Sequence, residues 1–470
     1  MLITMAKDNK IIIVTNRLPF SCDVDKDRIR LIPSAGGLIT GIGTIYPKND
    51  THLWIGWAGA VAIDKTNENR IKSMLNEKRF EPVFMSKKMY IEHYNGYCNQ
   101  VLWPILHGFT KKVVYQQFFW ESYIKVNKKF CIQLLATYTK TGIIWIHDFH
   151  LMLLPTLLRK KIPTAKIGFF LHTPFPLYED VCKVPEYIEL IKGLLGADLI
   201  GFSILSYKLN FIETLKKIGY EVYDDRFLIV NGKQVNIDVF PIGIDFKAYE
   251  KLSLSAQVSK EVQRIGKLFT NEKLILSIDR LDYIKGIPAK LRAFELFLQN
   301  NKSKIGKVQL LLIVVPSRVE IEDYKILKTE IEELVTDINN CYKELSWLPI
   351  IYRYNSFSLV EISSFYKSAD IMLVTSLKDG MNLVCKEYIA SRENYSGVLV
   401  LSEEAGASDE LKEAILIKPG SLTNVARGIE KAINMSLDEQ QQRMKILKKK
   451  ISLKDVFDWN RTFLEKLEEI

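Results

Sequence analysis

The sequence predicts an α/β protein built as two doubly wound domains, and three observations carry that prediction. At 470 residues, 47% of them hydrophobic, the chain exceeds one ordinary core and suggests two domains. Short apolar runs rich in β-branched residues recur along it, separated by helix-length amphipathic segments, which is the βαβα order of a parallel sheet. The series pauses between residues 202 and 273, and the boundary between two halves is placed within that gap.

In chain order, the predicted strands of the first half are KIIIVTN (10–16), GIIWIHD (142–148), KIGFFLH (166–172) and ADLIGF (197–202). Those of the second half are KLILSID (273–279), VQLLLIVVP (308–316), IMLVTS (371–376), GVLVLS (397–402) and AILIKP (414–419). Their near-continuous apolar character suits strands buried on both faces. DFHLMLLPTLLRKK after residue 147 and IPAKLRAFELFLQN after residue 286 read as helices between them. Within the pause, RFLIVNGKQVNIDVF (226–240) reads as a hairpin turning at Asn231-Gly232, and PIGID (241–245) as a Pro/Gly linker. The predicted domains are therefore 1–245 and 246–450, and 451–470 holds a terminal amphipathic helix. Open sheets of this type bind ligands beyond the carboxyl ends of their strands, so the site is expected in a cleft where the two domains face each other.

Composition narrows the function. No apolar run approaches the roughly 20 residues that span a bilayer, and MLITMAKDNK places Lys7, Asp8 and Lys10 where an export signal needs an apolar core. A cytoplasmic protein without a membrane partner is the expectation. The six cysteines, Cys22, Cys98, Cys131, Cys182, Cys341 and Cys385, are scattered without the spacing of a zinc site or disulfide framework. The net charge of +10 suits nucleic acid or phosphorylated metabolites. Basic residues cluster weakly and are not interleaved with aromatics, which disfavours nucleic acid.

The polar clusters fall just after predicted strands. Arg17 follows the first, and SAGGLITGIG brings Gly36 and Gly37, which read equally as a tight turn or as a backbone approach to an anion. LWIGWAG, HYNGYCN and VLWPILH supply Trp54, Trp57, Tyr94 and Trp103. Core packing and a sugar-binding face are balanced readings there, although the Gly and Asn neighbours argue for loops. WIHDFH offers His147, Asp148 and His150, but no third ligand at zinc spacing, so Asp148 reads as an acceptor for sugar hydroxyls. His172 ends another strand, where a structural histidine is the bland alternative.

In the second half, Arg280 and Lys285 sit between a strand and a helix, where two fixed cations can hold a diphosphate, and Arg318 is a third phosphate-directed candidate. TSLKDGMNLVCKEY (375–388) turns from strand to helix at LKDG. Asn382 lies near the helix start, the backbone N–H groups at Leu383 and Val384 are available to an anion, and Glu387 sits one turn deeper on the same face. A carboxylate at that distance suits a ribose diol, and nucleotide-sugar binding follows.

NRLPF, SAGGL, WIGWAG, YNGYCN, LWPILHG, WIHDFHLMLLP, IGFFLHTPFP, GADLIGF, FPIGID, DRLDYIKGIP, VPSR, TSLKDGMNLVCKEY and GVLVLSEEAGAS, in that order from about residue 11 to the C-terminus, resemble the trehalose-6-phosphate synthases of glycosyltransferase family 20. The resemblance implies a GT-B fold of two Rossmann-like domains, the first for the acceptor and the second for the nucleotide sugar, with the terminal helix crossing back to the first. It implies a retaining transfer from UDP-glucose to glucose 6-phosphate, giving α,α-trehalose 6-phosphate and UDP, with no metal and no cofactor.

By the resemblance, Arg17, Tyr94 and Arg318 hold the acceptor phosphate, with Trp57, Trp103 and Asp148 against the acceptor. Gly36, Gly37, Arg280 and Lys285 meet the donor diphosphate, assisted by the backbone at Leu383 and Val384. Glu387 takes the ribose, and Phe357, Met381 and Asn382 complete the donor site. His172 and Asp379 position and polarise the transferred glucose, so the catalytic set is His172, Asp379, Arg280 and Lys285. Thr173, Cys385 and SILSYKLNF (203–211) depart from the family's pattern without removing a charged contact. The implied partners are a homo-oligomer or a separate trehalose-6-phosphate phosphatase, whose domain some relatives carry after the synthase. The alternative is a non-catalytic regulatory subunit binding sugar phosphates, which would be expected to lose some of Arg280, Lys285, Asp379 or Glu387.

Overall fold

A computed structural model describes residues 11–25, 28–33, 52–61, 64–138, 142–267, 273–344 and 347–470. The chain packs as two units, Met1–Pro241 with Trp459–Ile470, and Ile242–Asp458. The first contains strands β1 (Ile11–Arg17), β2 (Phe20–Asp25), β3 (Arg28–Pro33), β4 (His52–Val61), β5 (Phe80–Met85) and β6 (Ile143–His147). It continues with β7 (Lys166–Leu171), β8 (Leu199–Phe202), β9 (Val222–Tyr223), β10 (Phe227–Val230) and β11 (Lys233–Val239).

Among the described residues its main sheet runs β5-β4-β1-β6-β7-β8-β11-β10-β9, parallel from β5 through β11. β10 and β9 are antiparallel additions at one edge, and β2 with β3 forms a separate hairpin. The predicted hairpin at Asn231-Gly232 is present, and its second strand also joins the main sheet beside β8.

The second unit contains β12 (Lys273–Arg280), β13 (Val308–Val315), β14 (Ile350–Tyr354), β15 (Ile371–Val374), β16 (Val398–Ser402) and β17 (Ile415–Ile417). All pairs in its sheet, β14-β13-β12-β15-β16-β17, are parallel. Counted within the unit, that order is 3-2-1-4-5-6, the dinucleotide-fold arrangement. The first six strands of the other main sheet repeat it. Each unit therefore has a switch point where the winding reverses: between β1 and β6 in the first, and between β12 and β15 in the second.

All nine predicted strands are present, because fully buried parallel strands must be continuously apolar and so declare themselves. The sequence reading missed β2, β3, β4, β5, β9 and β14. It also expected loops around the aromatic clusters, and the structure corrects this: LWIGWAG lies in β4, and HYNGYCN lies in a π-helical segment, Ile91–Leu102. Gly56 is small for packing rather than for turning, since a Cβ there would lie 2.9 Å from the Leu18 nitrogen.

The helix Val456–Glu469 sends Trp459, Phe463 and Leu467 into the core of the first unit. Phe463 stacks on Trp145 at 4.7 Å and lies edge-on to Phe240 at 5.0 Å. In the second unit, Ile287–Asn300 and Glu322–Tyr342 pack apolar residues such as Phe294, Phe297 and Ile331 into a core with Leu310 and Leu312 of β13.

Candidate active site

The predicted polar residues of each unit collect at its switch point. In the first, the pairing of β1 with β4 sets Arg17 directly opposite Trp57. The Arg17 guanidinium lies 4.7 Å from the centre of the Trp57 ring and 5.1 Å from that of Tyr94, so two aromatic faces hold one cation. Its Nε is buried without a hydrogen-bond partner among the described residues. Tyr94 stacks in turn on Tyr90 and on His150, at 5.4 and 5.8 Å.

The two readings of the aromatic cluster separate here. Trp54, Trp57 and Trp103 are buried, as core residues are, while Tyr94 stays half-buried. Trp57 spends its indole N–H on the Ala60 carbonyl, and Trp103 packs on His107 and Phe149. Trp57 thus reaches the site as the surface beneath Arg17.

Asp148 follows β6 with φ of 73°, an uncommon backbone state for a residue other than glycine. Its N–H bonds to the Phe170 carbonyl, its Oδ1 accepts from the His172 backbone N–H at 3.3 Å, and Oδ2 lies 3.8 Å from His150 Nδ1. His172 Nε2 meets His147 Nδ1 at 3.1 Å. Burial drives His172 down to about 3, and burial followed by the neighbouring His172 drives His147 well below the usual histidine value, so both rings are neutral near pH 7.

In the second unit, Arg280 ends β12 and is exposed. Asp282, fully buried, accepts from Arg318 Nη1 at 2.5 Å and lies 4.0 Å from Arg280 Nη2. Arg318 Nη1 also donates to the Tyr324 hydroxyl at 2.8 Å. Arg318 is thus brought beside Arg280, with a backbone φ of 49°.

Lys285 donates to Asp379, whose Oδ2 also accepts from Ser376 Oγ at 3.1 Å and Asn382 Nδ2 at 3.0 Å. Burial works against the Lys285 ammonium, but Asp379 and then Asp279 outweigh it and hold its pKa above the usual lysine value. Asn382, at φ of 71°, caps the helix Leu383–Ala390 by accepting from the Cys385 N–H. Leu383 and Val384 open that helix half-buried, and Met381 lies buried before it. The positive end of the helix and two cations therefore serve one switch point.

Glu387, one turn into that helix, accepts from the Tyr366 hydroxyl at 2.7 Å and is hydrogen-bonded by Tyr249. Burial raises its pKa above the usual carboxylate value, against the pull of those two bonds. Phe357 packs edge-on to Phe365 at 5.2 Å, on the helix Leu359–Ser368 that carries Tyr366. Gly36 and Gly37 lie outside the described residues.

Sequence reasoning did not assign roles to Asp282, Tyr249, Tyr366 or Tyr324, which anchor the predicted groups from other elements. Lys378 and Lys386 also had none. Lys378 pairs with Glu404 at 2.8 Å, while Lys386 is buried, donating to the Ile242 carbonyl and pairing with Glu410. No group of three or more His, Cys, Asp or Glu among the described residues is placed to hold a metal ion.

The model of glycosyltransferase family 20 matches residues 9–469. An Aspergillus fumigatus α,α-trehalose-phosphate synthase (UDP-forming) is 36% identical, over 98% of this chain and 97% of its own. Two other curated relatives are longer, the chain spanning 62% and 63% of them. A Burkholderia xenovorans α,α-trehalose-phosphate synthase, solved with glucose 6-phosphate, matches with a TM-score of 0.87 at 29% identity, over 98% of this chain and 100% of that one. An E. coli structure bound with UDP-2-fluoro glucose matches with a TM-score of 0.88 at 31% identity, over 98% and 99%.

Proposed function

This chain belongs to glycosyltransferase family 20 and is a glycosyltransferase of GT-B fold, and from that premise we propose that it transfers glucose from UDP-glucose to glucose 6-phosphate. The products are α,α-trehalose 6-phosphate and UDP, formed with retention and without a metal. The ligands of the Burkholderia and E. coli structures support the choice of substrates. The observation that carries the reading is the convergence of Arg280, the Lys285–Asp379 pair and the N-terminus of Leu383–Ala390 on one switch point.

The chemistry follows from charge. As the glycosidic C–O bond breaks, negative charge grows on the departing diphosphate, and Arg280, Lys285 and the N–H groups at Leu383 and Val384 stabilise it. The acceptor hydroxyl attacks on the face the diphosphate leaves, and its proton passes to a departing phosphate oxygen. Asp379, fixed by Lys285, Ser376 and Asn382, orients the glucose hydroxyls together with His172. Glu387 accepts from the ribose diol, with Phe357 and Met381 in the donor site and Gly36 and Gly37 at the diphosphate.

On the acceptor side, Arg17 and Tyr94 meet the phosphate over Trp57, Arg318 is the third group assigned to it, and Trp103 and Asp148 serve the sugar. The site is proposed to work in the cytoplasm, and no helix among the described residues is long and apolar enough to cross a membrane.

Purified protein should release UDP from UDP-glucose with glucose 6-phosphate and not with glucose. Equal use of free glucose would sink the acceptor assignment, and no release with both substrates saturating would favour a regulatory subunit. Arg280→Ala is expected to cut turnover by about 10²-fold or more, the usual cost of losing a group that stabilises developing charge. Near-normal turnover would remove Arg280 from the diphosphate.

A further inference from the structure

His147 has no role in the reaction as described, yet it is fully buried and its Nδ1 lies 3.1 Å from Nε2 of His172. One proton lies between those nitrogens, because both rings are neutral and a hydrogen bond needs one donor and one acceptor. Which ring supplies it decides what His172 can offer at its other nitrogen.

The surroundings of His147 settle the choice. Its Nε2 is buried with no hydrogen-bond partner among the described residues. Its ring centre lies 4.6 Å from Trp145 and 6.2 Å from Trp459, and both indole Nε1 groups are likewise buried and without a partner among the described residues. An indole nitrogen only donates. A proton on His147 Nε2 would put a third orphan donor among two others, and orphaned buried N–H groups are the rarer defect. A bare Nε2 instead presents a lone pair to a neighbourhood that carries donors.

The geometry points to His147 as a positioning residue that fixes the tautomer of His172: it donates Nδ1–H to His172 Nε2, so His172 carries its proton on Nδ1. The ring is also held in place, with Phe170 at 4.6 Å, Trp459 at 5.8 Å and its backbone N–H on Asp148. His172 is then a neutral hydrogen-bond donor at Nδ1, suited to a hydroxyl oxygen of the transferred sugar and unable to act as a base there. That last step rests on the proposed role of His172; the tautomer does not.

The chain has six histidines, few enough for long-range ¹H–¹⁵N NMR of histidine-labelled full-length protein, with His172→Gln identifying the signal. Nδ1 of His172 should show the pyrrole-type shift and Nε2 the pyridine-type shift. The reverse pattern, or a charged ring, would overturn the assignment whatever the enzyme's substrate proves to be. In kinetics, His147→Asn, whose amide can replace the Nδ1–H donor, should keep most activity. His147→Phe, which cannot donate, should lower turnover by about tenfold, the effect of one lost hydrogen bond. Equal activity in the two variants, with the NMR pattern as expected, would remove the tautomer from the reaction and leave His172's proposed role as the failed step.

Discussion

Glu387 shows how much of a site residue's behaviour comes from partners it does not share a motif with. Two tyrosines bond its carboxylate, and both titrate far above their ordinary value for want of solvent and beside the Glu387 charge, so they stay donors. Because the folded-state pKa of Glu387 is raised, its protonated form, poorer as an acceptor, persists above the ordinary glutamate value of 4.5. The KM for UDP-glucose should therefore rise as pH falls, beginning above 4.5, with Glu387→Gln flattening that limb. Folding responds with the opposite sense: the raised pKa contributes stability below the unfolded value, lost as pH rises through the folded one. Tyr366→Phe should raise the donor KM by about 3- to 10-fold and move the acid limb to higher pH, since one bond to the charged form is gone. An unchanged KM and limb would detach Tyr366 from the donor. Glu387 itself was legible in sequence because helix periodicity places it over Leu383. Tyr366 lies 21 residues away on another helix, and only the fold brings it there.

At the scale of elements, strands announced themselves and glycines misled. The buried parallel strands were readable as apolar runs, but β5 is nearly all buried and yet interrupted by Glu81 and Pro82, and β14 carries polar groups and is mostly half-buried; both lie at sheet edges, where proline is tolerated. In β4, glycine and tryptophan alternate, a pattern that resembles a loop until the neighbouring backbone is seen. Close approach also explains Gly201 in β8, where a Cβ would lie 2.7 Å from Phe170 Cδ2 and 2.8 Å from Phe463 Cε2. Both rings are packed in the core around the terminal helix, so neither can move without opening a gap elsewhere. Gly201→Ala should cost about 1–3 kcal/mol in denaturant unfolding. Phe463→Leu should recover part of that cost in the double variant, as contacting sites are non-additive. Strict additivity would show that the methyl is accommodated against Phe170 alone.

For the whole molecule, the winding order does more than the charge total to place function. Each unit reverses direction once, and the predicted acceptor cation Arg17 and donor cation Arg280 end the first strand of their respective sheets, beside that reversal. Their positions were readable because a polar residue directly after a buried strand stands out. The anchoring of Arg318 by Asp282 and of Lys285 by Asp379 was not, because those pairs span 36 and 94 residues of chain. Assigning Arg17 and Arg318 to one phosphate and Arg280 and Lys285 to the other, in a chain of net charge +10, leads to a test by salt. Raising ionic strength from 0.1 to 1 M shortens the screening length from about 10 to about 3 Å, which weakens partly exposed cation–phosphate attraction more than buried contacts. Both KM values should rise several-fold while turnover changes less, because the proposed stabilisation of charge on the diphosphate draws on the buried Lys285 and on backbone N–H groups at Leu383 and Val384 as well as on the exposed Arg280. The two dependences should also come apart by mutation. Arg280→Ala should flatten the salt response of the donor KM alone, and Arg17→Ala that of the acceptor KM alone. A single variant flattening both would mean that salt acts on the general field of a basic protein, and the assignment of one cation set to each substrate would fail.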